Sequence, residues 1–170
     1  AEDIKAIRDQ VDWVVVNYHW GQESAAYPAD WQTQLGRFTI DHGADLVVGH
    51  HPHVLQGAEI YRGRPIVYSL GNFIFGGNSR TDYDTAVLKV ALNDQQMKVE
   101  FLPIEVKDYQ PQVVGGDKGQ QILDHLAHLS SGFKQPMQAS MVLDARTRPA
   151  PDPSPSASPS PAPLAPTTPS

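Results

Sequence analysis

Two short β-branched runs, residues 14–18 in "DWVVVNYHW" and the "ADLVVGHH" stretch of residues 44–51, flank a segment with helical punctuation. Continuous apolar runs of this length predict strands buried on both faces. Between them, Pro28 falls just inside a helix and Gly43 just past its end, and Trp31, Leu35 and Phe38 make an apolar stripe at i, i+4 and i+7 that predicts the face packed on the sheet. Strand, helix and strand within about forty residues is a βαβ unit, with parallel strands and a right-handed crossover.

Beyond this unit the pattern changes. "LQGAEIYRGRPIVYSL" predicts two strands around the turn "RGR", and "DTAVLKVALNDQQMKVEFLPIEV" two more around "NDQQ". Their alternation suits antiparallel pairs, so the predicted fold class is α/β with a mixed sheet. A last helix after "GGDKGQ" places Ile122, Leu126 and Leu129 on one face, with Asp117 as its N-cap. At the other end, Ile4, Ile7 and Val11 predict a short amphipathic helix.

Composition sets the limits of the folded part. Of the 15 prolines in 170 residues, nine lie from Pro149 onward, among Ser, Ala and Thr and with no aromatic residue. Such a stretch cannot bury enough apolar surface to offset its ordering entropy. The expectation is a domain over residues 1–145 and a disordered Pro/Ser/Ala-rich tail over 146–170, which can serve as an extended spacer. A net charge of -6, with 13 scattered basic residues, argues against nucleic acid as a partner. The absence of cysteine rules out disulfides and thiolate ligands. Neither a signal peptide nor a run of apolar residues long enough to span a membrane is encoded, and a helix already under way at Ala1 reads as a cut start.

Both strands of the βαβ unit end in histidine: His19 after the first, and His50, His51 and His53 after the second. Ligands bind outside the carboxyl ends of the strands in open α/β sheets. Imidazole is the commonest nitrogen ligand, and His51-x-His53, held extended by Pro52, can present two rings to one ion or to two adjacent ones. A tight Gly/Pro turn is the alternative reading of "GHHPH". His42, His125 and His128 read as hydrogen-bonded or solvated bystanders.

"HWGQE" at 19–23, "GADLVVGHHPHVLQG" at 43–57 and "RPIVYSLGNFIF" at 64–75 closely resemble the CapA family of poly-γ-glutamate capsule-synthesis proteins, within the calcineurin-like metallophosphatase superfamily. The resemblance runs in order over about residues 1–104 and implies the C-terminal half of a calcineurin-like sandwich. By the same resemblance His19, His51 and His53 are metal ligands, His19 and His51 toward one ion and His53 toward the other. Glu23, His50 and Asn72 are candidates for the pocket, while "GN" after a strand is also an ordinary turn. No catalytic residue is assigned. The ion is divalent, Mn, Fe or Zn.

The superfamily pattern also calls for an Asp-x-His, a bridging Asp and an Asn-His ahead of the strand-end histidine, and the eighteen residues before His19 contain none of them. Two ions a few Å apart need a bridging carboxylate to offset their repulsion, and imidazoles alone suit a single ion such as Zn²⁺. The resemblance therefore implies a capsule or poly-γ-glutamate biosynthesis protein with a metallophosphatase-like crevice, located on the extracytoplasmic side of the bacterial cell envelope. Its expected partners are an anionic polymer such as poly-γ-glutamate and a membrane-bound synthesis complex. A metal-dependent hydrolase of a phosphate ester or amide, and an inactive fragment or polymer-binding module, are the alternatives.

Overall fold

The computed structural model describes residues 1–74 and 82–144. The proline-rich tail of residues 146–170, and with it the expected spacer, lies outside the described residues.

The expected βαβ unit is present. Strand β1 (Val15–His19) leads through helix α2 (Asp30–Asp41) to β2 (Leu46–His50), and the two strands pair in parallel from Val15 with Leu46 to His19 with His50. A preceding short helix, α1 (Glu2–Ile7), runs into a 3-10 turn at Arg8–Gln10. Strands β3 (Ala58–Tyr61) and β4 (Arg64–Val67) form an antiparallel hairpin whose two-residue turn, Arg62 and Gly63, has positive φ at both positions. That is the turn whose twist matches a hairpin. Because β4 also runs parallel to β2, the first sheet is mixed, in the order β1-β2-β4-β3.

The second sheet is antiparallel throughout. Long strands β5 (Tyr83–Leu92) and β6 (Gln96–Lys107) make the expected pair across the "NDQQ" turn, and β6 also pairs with β7 (Gln110–Val113) and β8 (Ser140–Asp144). The last two are short, and their sequences carry little strand signal. Helix α3 (Gly116–Ser130) buries Ile122, Leu126 and Leu129 as expected. Its N-cap is Gly115 rather than Asp117, which sits in the first turn and favours the helix dipole from there.

Two cores lie on the two faces of the first sheet. One joins Leu46, Val48, Ile60 and Val67 to Met97, Val99 and Phe101 of the second sheet and to the apolar face of α3. The other joins Val47, Ile66 and Tyr68 to Ile4, Trp20 and Ile40. Three expectations are corrected here. The β1 residues alternate between exposed and half-buried rather than being buried on both faces, because β1 is an edge strand among the described residues. Helix α2 buries Gln32, Gly36, Thr39 and Ile40, while Trp31 and Phe38 are exposed and Pro28 lies just outside the helix. Gly36 draws α2 close to the sheet: a Cβ there would lie 3.1 Å from Ile66 and 3.4 Å from Trp20. In α1 only Ile4 is buried; Ile7 and Val11 are exposed.

Glu59, 2% exposed, anchors one buried charge network. Arg37 of α2 grips the carboxylate of Glu59 with two bonds, of 2.9 and 2.8 Å, and the Tyr68 hydroxyl donates to the same carboxylate at 2.6 Å. Burial, together with that bond to Glu59, holds the Tyr68 phenol far above its ordinary value. The neutral phenol is thus favoured by folding, so its contribution is complete below about pH 10 and is lost as pH rises beyond that value. Melting temperature measured at rising alkaline pH should fall more steeply for the native chain than for Tyr68→Phe. Parallel curves would rule out this phenol as the source.

Candidate metal centre

The site grows from the register of β1 and β2. Pairing His19 with His50 puts both strand ends at one edge of the sheet, and the Trp20 amide closes the ladder on the His50 carbonyl at 3.0 Å. Beyond His50 the chain does not stay extended, as the sequence reading expected. His51 and His53 both take left-handed backbone conformations, φ 98° and 62°, with Pro52 buried between them. Non-glycine residues adopt this region at a cost, and such positions cluster at functional sites.

The facing loop, residues 20–25, is bent in the same way, at Gly21 (φ 88°) and Ser24 (φ 64°). Two bonds tie it to the histidine loop: the Ser24 amide donates to the Pro52 carbonyl at 2.8 Å, and the buried Gln56 side chain donates to the Ala25 carbonyl at 2.9 Å. This stitching brings the carboxylate of Glu23 to the imidazoles. One ligating atom from each of Glu23, His51 and His53 lies within 4.8 Å of the other two, the one such group of three among the described residues.

The remaining candidates surround this group. The His19 ring packs against His51 with centroids 4.6 Å apart, and the His51 and His53 rings are 5.7 Å apart. Asn72 sits 2.7 Å from His53, Oδ1 to Nδ1. With Oδ1 accepting, His53 carries its proton on Nδ1 and its lone pair on Nε2, the orienting contact that ligating histidines commonly make. His50 turns toward Asn17, with its Nε2 3.4 Å from Oδ1, and burial together with the neighbouring His19 lowers its pKa.

The other histidines behave as bystanders. His42 bonds the Phe38 carbonyl at 2.7 Å and packs tilted against the Phe38 ring, and His125 and His128 are exposed on α3. Sequence reading placed Glu23 in the pocket but did not read it as a ligand partner of His51 and His53. The signal was a carboxylate four residues past a strand-end histidine, and only the loop bend gives it meaning. Two imidazoles and one carboxylate are a donor set suited to a single borderline divalent ion.

Comparison with known proteins places these residues in context. Residues 1–77, which hold every candidate side chain, match the family described as "Bacterial capsule synthesis protein PGA_cap". The PGA biosynthesis protein CapA of Bacillus subtilis is 41% identical over 119 residues, 69% of this chain and 31% of that protein. The capsule biosynthesis protein CapA of Bacillus anthracis is 38% identical over 108 residues, 63% of this chain and 26% of that protein. A "Probable polyglutamine synthesis accessory protein" of Mycobacterium tuberculosis is 28% identical over 115 residues, covering 62% and 30%. The chain thus spans about a third or less of the length of these curated relatives. With the family match over residues 1–77 and both CapA relatives agreeing on the same family, the chain belongs to the CapA family of bacterial capsule-synthesis proteins.

Proposed function

We propose that this chain serves poly-γ-glutamate capsule biosynthesis, and that the crevice at the ends of β1 and β2 holds a divalent ion and meets the anionic polymer there. The observation that carries this reading is the convergence of His19, His51, His53 and Glu23 at one sheet edge inside the segment matching the capsule-synthesis family. A bound divalent ion supplies concentrated positive charge and Lewis acidity toward carboxylate or phosphate oxygens. The chain carries a net charge of -6, so local positive charge in the crevice is the means of contact with a polyanion.

The relatives' capsule-related names support a setting at the cell envelope, and among the described residues no helix is long and apolar enough to cross a membrane. Contact with a membrane-bound synthesis complex and placement on the extracytoplasmic side belong to the same proposal. Hydrolysis of a phosphate ester or amide is the second reading, favoured by the imidazole-rich donor set alone.

Two measurements on the purified chain test the first reading: Zn²⁺ and Mn²⁺ titration by calorimetry, and retention on immobilised poly-γ-glutamate with and without the ion. The native chain is expected to bind the ion and to hold the polymer in an ion-dependent way, and His51→Ala with His53→Ala is expected to lose both. Equal metal binding by the native and substituted chains, or retention that ignores the ion, overturns the proposal.

A further inference from the structure

We infer that Glu23 reads the linkage of the polymer: its carboxylate accepts the N–H of a γ-linked glutamyl unit whose own carboxylate meets the ion, and so selects γ-linked over α-linked chains. This rests on the proposed meeting of ion and anionic polymer in the crevice, and it names the chemical feature by which the polymer is chosen.

The charges of the crevice leave one role open for this side chain. Residues 17–25, 49–57 and 69–74, the stretches that form it, contain no lysine or arginine. Arg37, Arg62 and Arg64, on the flanking helix and hairpin, each face a carboxylate elsewhere. The carboxylates of a polyanion therefore find their positive partner in the ion, and a protein carboxylate at the same place repels them. Such a group favours a ligand only where it has a donor to receive. In an acidic polyamide that donor is the backbone N–H.

The geometry places the acceptor where an incoming chain meets it. Glu23 is the exposed member of its group, His51 and His53 are half-buried, and one ligating atom from each of the three lies within 4.8 Å of the others. The backbone at residue 23 is fixed without help from the side chain, because Trp20, Ser24 and Ala25 are all bonded to residues 50–56. Among the described residues the Glu23 carboxylate has no hydrogen bond or ion pair, so its lone pairs are free for a ligand.

Linkage chemistry supplies the match. In a γ-linked glutamyl unit the N–H and the free carboxylate sit on the same carbon, so a carboxylate at the ion carries its N–H alongside, toward Glu23. In an α-linked unit both side-chain methylenes separate the free carboxylate from the carbon that bears the N–H. The γ-linked unit meets both partners with its atoms already in place, whereas the α-linked unit must order its side-chain torsions to do so.

The test compares short oligomers of γ-linked and α-linked glutamate, equal in length and charge, in calorimetric binding to the full chain with Zn²⁺ or Mn²⁺ held at saturation for each variant. The native chain is expected to bind the γ-linked oligomer about 10-fold more tightly. Glu23→Ala is expected to abolish that preference without weakening the α-linked oligomer. Because residue 23 is exposed, its melting temperature should stay native. Gln22→Ala, on the same exposed loop, should keep the preference. Ion-dependent binding of both oligomers with equal affinity, an undiminished preference in Glu23→Ala, or an equal fall in both affinities there overturns the inference while the crevice reading stands. Absence of ion-dependent binding to either oligomer overturns the crevice reading and this inference with it.

Discussion

Replacing Asp45 with alanine is expected to destabilise the fold by about 3–5 kcal/mol, the cost of removing one member of a buried ion-pair network. Asp45 opens the turn into β2 and is 1% exposed. One of its oxygens accepts from Arg8 Nη1 at 2.7 Å and from the Val14 amide at 2.9 Å; the other faces Arg64 Nε at 3.3 Å. Arg64 is itself 2% exposed, lies over the Trp13 ring and donates to the Asp144 carbonyl at 2.9 Å. One carboxylate thus ties the approach to β1, the start of β4 and the end of β8. Alanine removes the carboxylate that faces the buried Arg64 guanidinium and leaves the Val14 amide short of an acceptor. Asp45→Asn keeps the shape and the amide contact, so its loss should be smaller. Urea unfolding measures both, and a loss under about 1 kcal/mol for the alanine variant would show that the network is not needed.

The order of elements was legible from β-branched runs and turn signals, because those report local preference directly. "RGR" gave its hairpin, and the parallel pair followed from the helix between its strands. Which face a helix buries was less legible. Counting apolar side chains chose Trp31, Leu35 and Phe38, but packing chose the side on which Gly36 allows close approach and on which Gln32 and Thr39 find polar partners. Gln32 accepts from the Ala29 amide at 2.9 Å, and Thr39 bonds the Leu35 carbonyl at 2.7 Å and the Tyr18 hydroxyl at 2.8 Å. Polar residues that find such partners can be buried, and a hydrophobicity pattern cannot see those bonds. At the site, the imidazoles were legible because they end strands. The grouping of Glu23 with His51 and His53 was not, because it depends on left-handed turns at Gly21, Ser24, His51 and His53 that have no periodic signature.

The second large effect is expected at Gly49, where fold and site meet. Gly49 lies opposite Tyr18 in the parallel ladder, one residue before His50. Its missing side chain makes room for the Trp20 indole, which crosses β2 to donate to the Tyr68 carbonyl at 2.9 Å and stacks between Tyr18 and Tyr68, centroids 4.7 and 5.9 Å away. A Cβ at Gly49 would stand 2.1 Å from the Tyr68 carbonyl oxygen and 2.2 Å from the indole nitrogen. Both contacts are far too short, so the backbone at Tyr68 and the indole must both be pushed away. Gly49→Ala therefore combines overpacking with the loss of a buried hydrogen bond, about 2–6 kcal/mol in all. Trp20 also begins the loop that carries Glu23, so a displaced indole shifts that loop against the histidines and should weaken metal binding together with stability. Gly132→Ala is the control: a Cβ there meets nothing within 4 Å, and its change should stay within about 0.5 kcal/mol. Thermal melting and Zn²⁺ titration of the two variants separate the outcomes. A Gly49→Ala chain with native stability and native metal affinity would mean that Trp20 neither needs that space nor supports the loop.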